Sequence, residues 1–235
     1  MNATRQDTLP ASGFAYLAAL TIIWGTSWPI LKIALSEIPP WTFRGLIAPT
    51  AAIFLFGLGY LMKEELTRPR GQWGPLLLAS ALNITGWHIF SAFGLLLVNS
   101  GHASILAYTM PLWAVLIGIL FTAERPSLQR YIGLAFGIAG IAVLLGGDLG
   151  VFASSPLGTL LMLGSALSWG AGTVVQKQVD WRLPPVSLAG WQLLIGGLPM
   201  TVIALIVELP HWEPVSTTAV WTMIYILVVP IVFCW

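Results

Sequence analysis

Residues 103–145 read ASILAYTMPLWAVLIGILFTAERPSLQRYIGLAFGIAGIAVLL, which is two apolar runs on either side of a short charged turn. Because an α-helix rises about 1.5 Å per residue, an apolar run of about 20 residues spans a hydrocarbon core of roughly 30 Å. The two runs, at 102–122 and 130–147, therefore predict two membrane-spanning helices joined by a polar connection.

Apolar runs of the same kind occupy the rest of the chain. Six more lie at 14–35, 40–62, 74–97, 157–176, 186–207 and 218–235. Their connections are short, and only backbone that satisfies its own hydrogen bonds is stable inside a bilayer. The sequence thus predicts an all-α, polytopic transmembrane helix bundle with antiparallel neighbours. The first run is too long for the core of a signal peptide, so we expect it to remain in the mature protein.

The composition supports a membrane protein and excludes several functions. Charged residues make up 8% of the 235-residue chain, against roughly 25% in a soluble domain, and the mean hydropathy is +0.86. No basic patch has the density that nucleic-acid binding requires, so nucleic acid is not an expected partner. The single cysteine, Cys234, excludes an intramolecular disulfide and a cysteine-based metal cluster.

The basic residues of the predicted loops all fall on one side of the bundle. This side carries Arg5, Lys63, Arg68, Arg70, Arg125, Arg130, Lys177 and Arg182. The opposite loops carry Glu37, Asp148, Glu208 and Glu213. Because Lys and Arg concentrate in cytoplasmic loops, the pattern predicts a cytoplasmic N-terminus.

An internal repeat appears when the chain is compared with itself at an offset of 145 residues. Seven identities then align: Gly13 with Gly158, Trp24-Gly25 with Trp169-Gly170, Lys32 with Lys177, Pro39-Pro40 with Pro184-Pro185, and Gly45 with Gly190. Each repeat would contain five helices, so the second copy would cross the membrane in the opposite direction. The expected organisation is a cytoplasmic tail at 1–13, a first repeat at 14–147 and an incomplete second repeat at 157–235. Roughly 55 to 60 further residues would complete the second copy.

The first helix and the stretch quoted above carry a resemblance to a known family. Trp24-Gly25-Thr26-Ser27-Trp28 leads to Lys32 and the Pro39-Pro40 turn. The 103–145 stretch has a proline in the middle of the fourth helix, a glutamate after it and spaced glycines in the fifth helix. In these features the chain resembles the EamA family of the drug/metabolite transporter superfamily. Arg44 lies earlier in the second helix than the arginine typical of that family.

The resemblance implies a ten-helix transporter made of two inverted five-helix repeats, of which about eight helices are present. It also implies alternating access, often with export of amino acids or other small metabolites, and a multi-pass location in a bacterial inner membrane. The expected partners are a small-molecule substrate and the lipid bilayer, and a homodimer is left open. No cofactor or metal ion is expected.

Two basic residues lie within predicted spans, where a charge needs a partner, water or a ligand. Lys32 shares a helical face with Gly25 and Trp28 and is a candidate substrate ligand, and snorkelling to the lipid headgroups is the alternative. Arg44 is a candidate ligand for an anionic substrate in an outer vestibule. Pairing with Glu37 or snorkelling is the alternative for Arg44.

His88 lies near the middle of a span, and its pKa in water is close to neutral. Thr85 and Ser91 share its face, so His88 is a candidate for carrying a coupling proton or for binding a substrate; helix packing is the alternative. No second His, Asp or Glu lies three or four residues further along the helix, so the sequence offers no metal site there.

Aromatic and amide side chains complete the set of candidate substrate-binding residues. Rings predicted on inner faces could hold an aromatic or cationic ligand, or simply pack: Trp24, Trp28, Tyr108 and Trp169. Gln192 is a polar candidate within a span, and an interhelical hydrogen bond is its alternative role, as for Asn83. Pro111 is the predicted hinge, because a proline in mid-helix removes an amide donor and frees the carbonyl four residues earlier.

The predicted function is therefore secondary transport, and an intramembrane enzyme is not expected because the sequence has no paired carboxylates, His cluster or nucleophile with its base. Proton-coupled drug efflux is an alternative, although every Asp and Glu falls in a loop or at the end of a span. A non-functional or assembly-dependent membrane fragment is the other alternative.

Overall fold

Eight helical segments follow one another along the chain. The computed structural model describes residues 11–64, 70–122, 127–146, 154–211 and 213–229; most of the predicted tail, the end of the second repeat and Cys234 lie outside these ranges. The helices are α1 (Ala11–Leu35), α2 (Pro40–Leu61), α3 (Trp73–Leu97), α4 (Ser100–Phe121), α5 (Leu128–Gly146), α6 (Pro156–Gln178), α7 (Pro185–His211) and α8 (Thr217–Val229). The predicted all-α fold is confirmed.

Six of these helices are long and apolar enough to cross a membrane: α1, α2, α3, α4, α6 and α7. The described apolar stretches of α5 and α8 are shorter, at Tyr131–Val143 and Thr217–Val229. Much of the apolar side-chain surface points outward, as in Phe54, Leu61 and Phe136, which are 52%, 78% and 75% exposed. Such a surface suits lipid rather than water.

Proline sets the helix ends and one interruption. Pro39 and Pro184 precede α2 and α7, and each helix begins with a second proline whose missing amide would have been unpaired in any case. In α4 the α-helix stops at Ala107 and resumes at Met110. The interruption fits the proline at 111, because Pro111 has no N–H to donate to the carbonyl of Ala107.

The described residues contain three short π-helical stretches: one at Ala204–Glu208 in α7 and two others that occupy related positions. In α3, residues Ala81–Gly86 are π-helical, and in α8 residues 227–229 are π-helical. The offset of 145 residues places 82–84 on 227–229. A π-turn inserts an extra residue into the helix and is frequent at functional sites.

Among the described residues, α2 and α7 make one of the most extensive contacts between two helices. A Cβ atom built on Gly45 would lie 2.8 Å from the backbone of Thr201, and one on Gly197 would lie 2.8 Å from Pro49. The Thr201 hydroxyl donates to the carbonyl of Gly45 at 2.7 Å. Small residues at these crossings therefore let the two backbones touch, as is usual between membrane helices.

Two other helix pairs, α3 with α6 and α1 with α8, are related by the offset of 145 residues. Ser168 of α6 donates to the carbonyl of Leu82 in α3 at 2.7 Å, and Thr26 of α1 lies 3.2 Å from the hydroxyl of Tyr225 in α8. The offset relates α1 to α6, α2 to α7 and α3 to α8. Under this offset the α3–α6 and α8–α1 contacts are equivalent and the α2–α7 contact is its own equivalent, whereas the α4–α6 contact has no counterpart among the described residues.

The two ends of the bundle differ in charge. One end, the acidic face, carries Glu37, Glu208 and Glu213, and the other end, the basic face, carries Lys63, Arg70, Lys177 and Arg182. On the basic face, Gln72 links α3 to the connection after α6 through the carbonyl of Asp180 and the amide of Arg182. On the acidic face, Glu37 links the end of α1 to Ser216 at the start of α8. Glu208 of α7 accepts hydrogen bonds from the backbone amides of Trp41 and Thr42 at the start of α2.

Candidate functional site

Six helices, α1, α2, α3, α6, α7 and α8, meet around a cavity of about 80 Å³. Four tryptophans line it: Trp24, Trp28, Trp87 and Trp169. Four polar side chains line it as well: Ser27, Arg44, His88 and Ser91. Leu31, Leu193 and Ile226 complete the wall. Aromatic walls with a few convergent polar groups are the usual lining of a small-molecule site, and this space is smaller than the roughly 300–1,000 Å³ of most such sites.

The aromatic rings form a continuous chain of contacts. Tyr108 and Trp28 meet edge to face with ring centroids 6.3 Å apart, Trp28 and Trp87 are also 6.3 Å apart, and Trp87 and Trp169 are 5.1 Å apart. The Trp28 indole N–H donates to the Tyr108 hydroxyl, which donates to the carbonyl of Trp24, both at 3.2 Å. The rings are thus held in place by edge contacts and by their polar atoms.

Arg44, His88 and Ser91 form the polar side of the cavity. Nη2 of Arg44 donates to the Ser91 hydroxyl at 3.3 Å, and that hydroxyl donates to the carbonyl of His88 at 3.2 Å. Nδ1 of His88 lies 2.8 Å from the carbonyl of Ile84. A carbonyl can only accept, so Nδ1 carries the proton and Nε2 is the free ring nitrogen of the neutral form.

The structure brings together five of the predicted substrate-binding residues, Trp24, Trp28, Arg44, His88 and Trp169. Arg44 is 4% exposed and faces the cavity, so it is buried and does not snorkel to the bilayer surface. It does not pair with Glu37 either, since the Glu37 carboxylate binds Ser216 at the start of α8.

The other candidate residues lie outside the cavity. Tyr108 supports the aromatic wall through Trp28. Nζ of Lys32 donates to the carbonyl of Val98, just after α3. Gln192 is fully buried next to Leu193, and neither atom of its side-chain amide has a partner among the described residues. Asn83 makes the expected interhelical hydrogen bond, to Gln176 at 3.1 Å.

Sequence reasoning missed several lining residues, chiefly Trp87 and Ser27. A signal for both was present: Trp87 precedes Ser91 by four residues, and Ser27 lies between Trp24 and Leu31 at helical spacing. Residues three or four apart share a helix face, so these positions follow from the candidates already chosen.

A second, larger space of about 390 Å³ lies between α4 and α6. It extends from Pro111 to Thr122 along α4 and from Trp169 to Gln178 along α6, with Lys177 at the basic face. Trp169 borders both this groove and the cavity. Pro111, the predicted hinge, lies at the start of the second half of α4.

Metal binding has no support in the described parts of the chain, which contain no group of three or more His, Cys, Asp or Glu side chains placed to hold an ion. His88 lines the cavity together with a cation, Arg44.

A helical membrane bundle with a cavity of this kind defines the class of polytopic membrane transporters. The sequence pattern of the EamA-like transporter family matches residues 11–146 and 156–235. The chain therefore belongs to the EamA-like transporter family, within the drug/metabolite transporter superfamily, as the resemblance predicted. This is a family of transporters and not of enzymes.

Individual relatives agree with the family. The chain is 27% identical over 210 residues to the uncharacterized transporter YoaV of Bacillus subtilis, 32% over 182 residues to YvbV of the same organism, and 28% over 194 residues to the uncharacterized inner membrane transporter YedA of Escherichia coli. The matches include 89%, 77% and 82% of this chain and 72%, 59% and 62% of the relatives' lengths. A solved crystal structure shares the fold, with 23% identity and a TM-score of 0.63 over 92% of this chain and 76% of that one.

Proposed function

We propose that this protein is a secondary transporter that exports small metabolites, such as amino acids, across a bacterial inner membrane by alternating access. The observation that carries the proposal is the cavity, in which residues of both predicted repeats meet around one charged, three polar and several aromatic side chains. A site at the junction of two inverted repeats can be exposed to either side of the membrane when one repeat rocks against the other.

The groove between α4 and α6 supports a route from the cavity to the basic face. Trp169 borders both spaces, so a movement of its ring or of α4 would join them. The second half of α4 can bend relative to the first at the interruption between Ala107 and Met110, and we assign the hinge to Pro111.

The charge distribution supports an orientation in the membrane with the N-terminus in the cytoplasm. We place the basic face, with Lys63 and Arg182, in the cytoplasm, because cytoplasmic loops are enriched in Lys and Arg. Substrate would then enter the groove from the cytoplasm beside Lys177 and leave on the acidic face.

The test is export by cells and by purified protein. Cells that overproduce the protein are compared with control cells by broad profiling of extracellular metabolites. The purified protein is then reconstituted in liposomes, and the fluxes of the compounds found are measured. We expect increased release of one or a few metabolites and greater tolerance of them by the producing cells.

A pair of variants on α1 tests whether the substrate passes through the cavity. Ser27→Leu places a large side chain in a space of about 80 Å³, whereas Thr21→Leu changes an exposed position one turn or more away on the same helix. We expect Ser27→Leu to abolish transport and Thr21→Leu to leave it unchanged. No altered metabolite, together with no flux in liposomes, would refute export; efflux of a cationic dye would favour the drug-efflux alternative.

A further inference from the structure

Arg44 brings a positive charge to the cavity without a carboxylate beside it. Its guanidinium has one hydrogen-bond acceptor within the described ranges, the Ser91 hydroxyl at 3.3 Å. The Nε–H of Arg44 is buried and has no acceptor there. The Phe43 ring covers one side, with its centroid 5.4 Å from Cζ.

Two of the three described carboxylates on the acidic face are bound to other groups, and the third, Glu213, is exposed at the surface, whereas Arg44 is buried. Glu37 accepts two hydrogen bonds from Ser216, and Glu208 accepts hydrogen bonds from the backbone amides of Trp41 and Thr42. Burial of an unpaired cation is strongly unfavourable, and proteins keep such a charge where a ligand completes it. No carboxylate among the described residues balances Arg44, so an anion bound in the cavity is the counter-ion that its surroundings favour.

The geometry of the guanidinium restricts the anion. Arginine offers N–H groups in a planar fork that matches the two oxygens of a carboxylate. Because Ser91 takes one N–H of Nη2, Nε and the remaining N–H groups are left for the ligand. His88 lies beside this position, and its free Nε2 can accept a hydrogen bond from a neutral or cationic donor on the same ligand.

The rest of the cavity restricts the body of the ligand. Four tryptophans line the cavity together with the polar side chains, so a flat or apolar group would pack against their rings. At about 30 Å³ of liquid volume per water, the cavity of about 80 Å³ holds roughly two or three waters, so the ligand is compact and a ring-sized ligand requires the side chains of the wall to move apart.

We infer that Arg44 is the anion-binding subsite of this cavity and that the ligand is a small organic carboxylate with a flat or apolar body. The inference rests on the proposed function, since it assigns the substrate class of the same cavity. The carboxylate binds the Arg44 fork, and the apolar body lies among Trp24, Trp28, Trp87 and Trp169.

Binding is tested with a matched pair of probes, benzoate and its neutral isostere benzamide. The protein is purified in a neutral maltoside detergent and chloride-free buffer, and its thermal unfolding is followed with each probe and with inorganic phosphate. A ligand that binds only the folded protein raises Tm. We expect benzoate to raise Tm, and benzamide and phosphate to have no effect at the same concentration.

Substitution at Arg44 gives the second readout, the affinity for radiolabelled benzoate. Hydrogen bonds to a charged group are strong enough that Arg44→Met should weaken binding by at least about tenfold. Without ligand, Arg44→Met should keep or raise Tm, because it removes an unpaired buried charge. A charge held only for structure would instead lower Tm when removed. Lys32→Gln is the matched control, since Lys32 is a basic residue of the same end that lies outside the cavity.

Equal protection by benzoate and benzamide, or protection by neither, overturns the inference. It is also overturned if Arg44→Met binds benzoate as wild type does. Protection by phosphate alone replaces the organic carboxylate with an inorganic oxyanion or a lipid phosphate. Because these measurements involve no transport, a positive result with no flux in liposomes would refute the proposed function and leave the subsite standing.

Discussion

Glu37 accepts two hydrogen bonds from Ser216, one from the backbone amide at 2.7 Å and one from the hydroxyl at 2.8 Å. Ser216 is the N-cap of α8, and its hydroxyl oxygen also accepts from the amide of Ala219 at 3.1 Å. A carboxylate near a helix N-terminus complements the helix dipole. The contact ties the end of α1 to the start of α8, and both helices line the cavity.

Substitution of Glu37 should change how stability depends on pH. The Ser216 amide, and then its hydroxyl, lower the pKa of Glu37 below its ordinary value of 4.5. A carboxylate with a lowered pKa stabilises the fold above its ordinary pKa, and that contribution is lost as the pH falls through the lowered value. We expect Glu37→Gln to have a lower Tm than wild type at neutral pH, and the difference to shrink below pH 4.5.

Thermal unfolding over a pH series in detergent measures this difference. Glu213→Gln is the control, because Glu213 is exposed on the same face and makes no hydrogen bond to the residues that the structure describes. A pH-independent gap between wild type and Glu37→Gln would show that the ionised carboxylate is not what Ser216 recognises.

Glu208 should stabilise α2 from the end of α7. The N-cap of α2 is Pro39, which has no side-chain oxygen, so the first amides of the helix need an acceptor from elsewhere. Glu208 accepts from Trp41 at 3.2 Å and from Thr42 at 2.6 Å. We expect Glu208→Ala to lower the free energy of unfolding by about 1 kcal/mol and Glu208→Gln by less, since the amide keeps one acceptor. Denaturant titration in mixed micelles measures both, and equal losses would contradict the capping role.

Gly45 should be intolerant of any side chain. A Cβ atom there would lie 2.8 Å from the backbone of Thr201, which cannot move aside as a side chain can. We expect Gly45→Ala to cost about 1–3 kcal/mol of stability, the usual range for overpacking. The three atoms nearest to a Cβ on its repeat mate Gly190 all belong to the ring of Phe56, a side chain that can shift, so Gly190→Ala should cost less.

The comparison for these variants is Gly57→Ala, on the same helix as Gly45. An added Cβ at Gly57 has no neighbour within 4 Å, and alanine favours a helix over glycine by about 1 kcal/mol. Gly57→Ala should therefore be neutral or stabilising. If all three alanine variants unfold alike, close backbone contact is not what selects glycine at 45.

The helices themselves were predictable because their causes are local. Apolar length fixes the spans, and the proline pairs at 39–40 and 184–185 fix the starts of α2 and α7. Proline alone predicts interruptions poorly, however. Pro29, Pro49 and Pro199 lie inside continuous α-helix, and Pro111 is the one interior proline of the described helices that coincides with a break. The π-turn at Ala81–Gly86 contains no proline and packs against α6 and α7.

The sequence predicts which residues line the site when they share one face of a single helix. It does not predict them when their contacts depend on a residue far away along the chain. Helical spacing placed Trp24 and Trp28 together. The sequence alone left three surroundings open for Arg44: lipid, Glu37 and the cavity. Glu37 in fact binds Ser216, which lies 179 residues further along the chain, and no local pattern indicates that contact. The repeat does not help here either, since the position equivalent to Glu208 is Lys63, which has the opposite charge.

Substitution of Lys32 tests whether Arg44 is the basic residue that binds the anion in the cavity. Lys32 and Arg44 were both candidate ligands for an anion, but Nζ of Lys32 donates to the carbonyl of Val98, at the end of α3, and does not line the cavity. We expect Lys32→Gln to lower stability by about 1 kcal/mol, through loss of a charge-assisted hydrogen bond, and to leave benzoate affinity within about twofold of wild type. Parallel denaturant titration and radioligand binding separate the two effects. Because Arg44→Met should show the reverse pattern, with affinity lost and stability kept, a tenfold loss of affinity in Lys32→Gln would place Lys32 in the binding site after all.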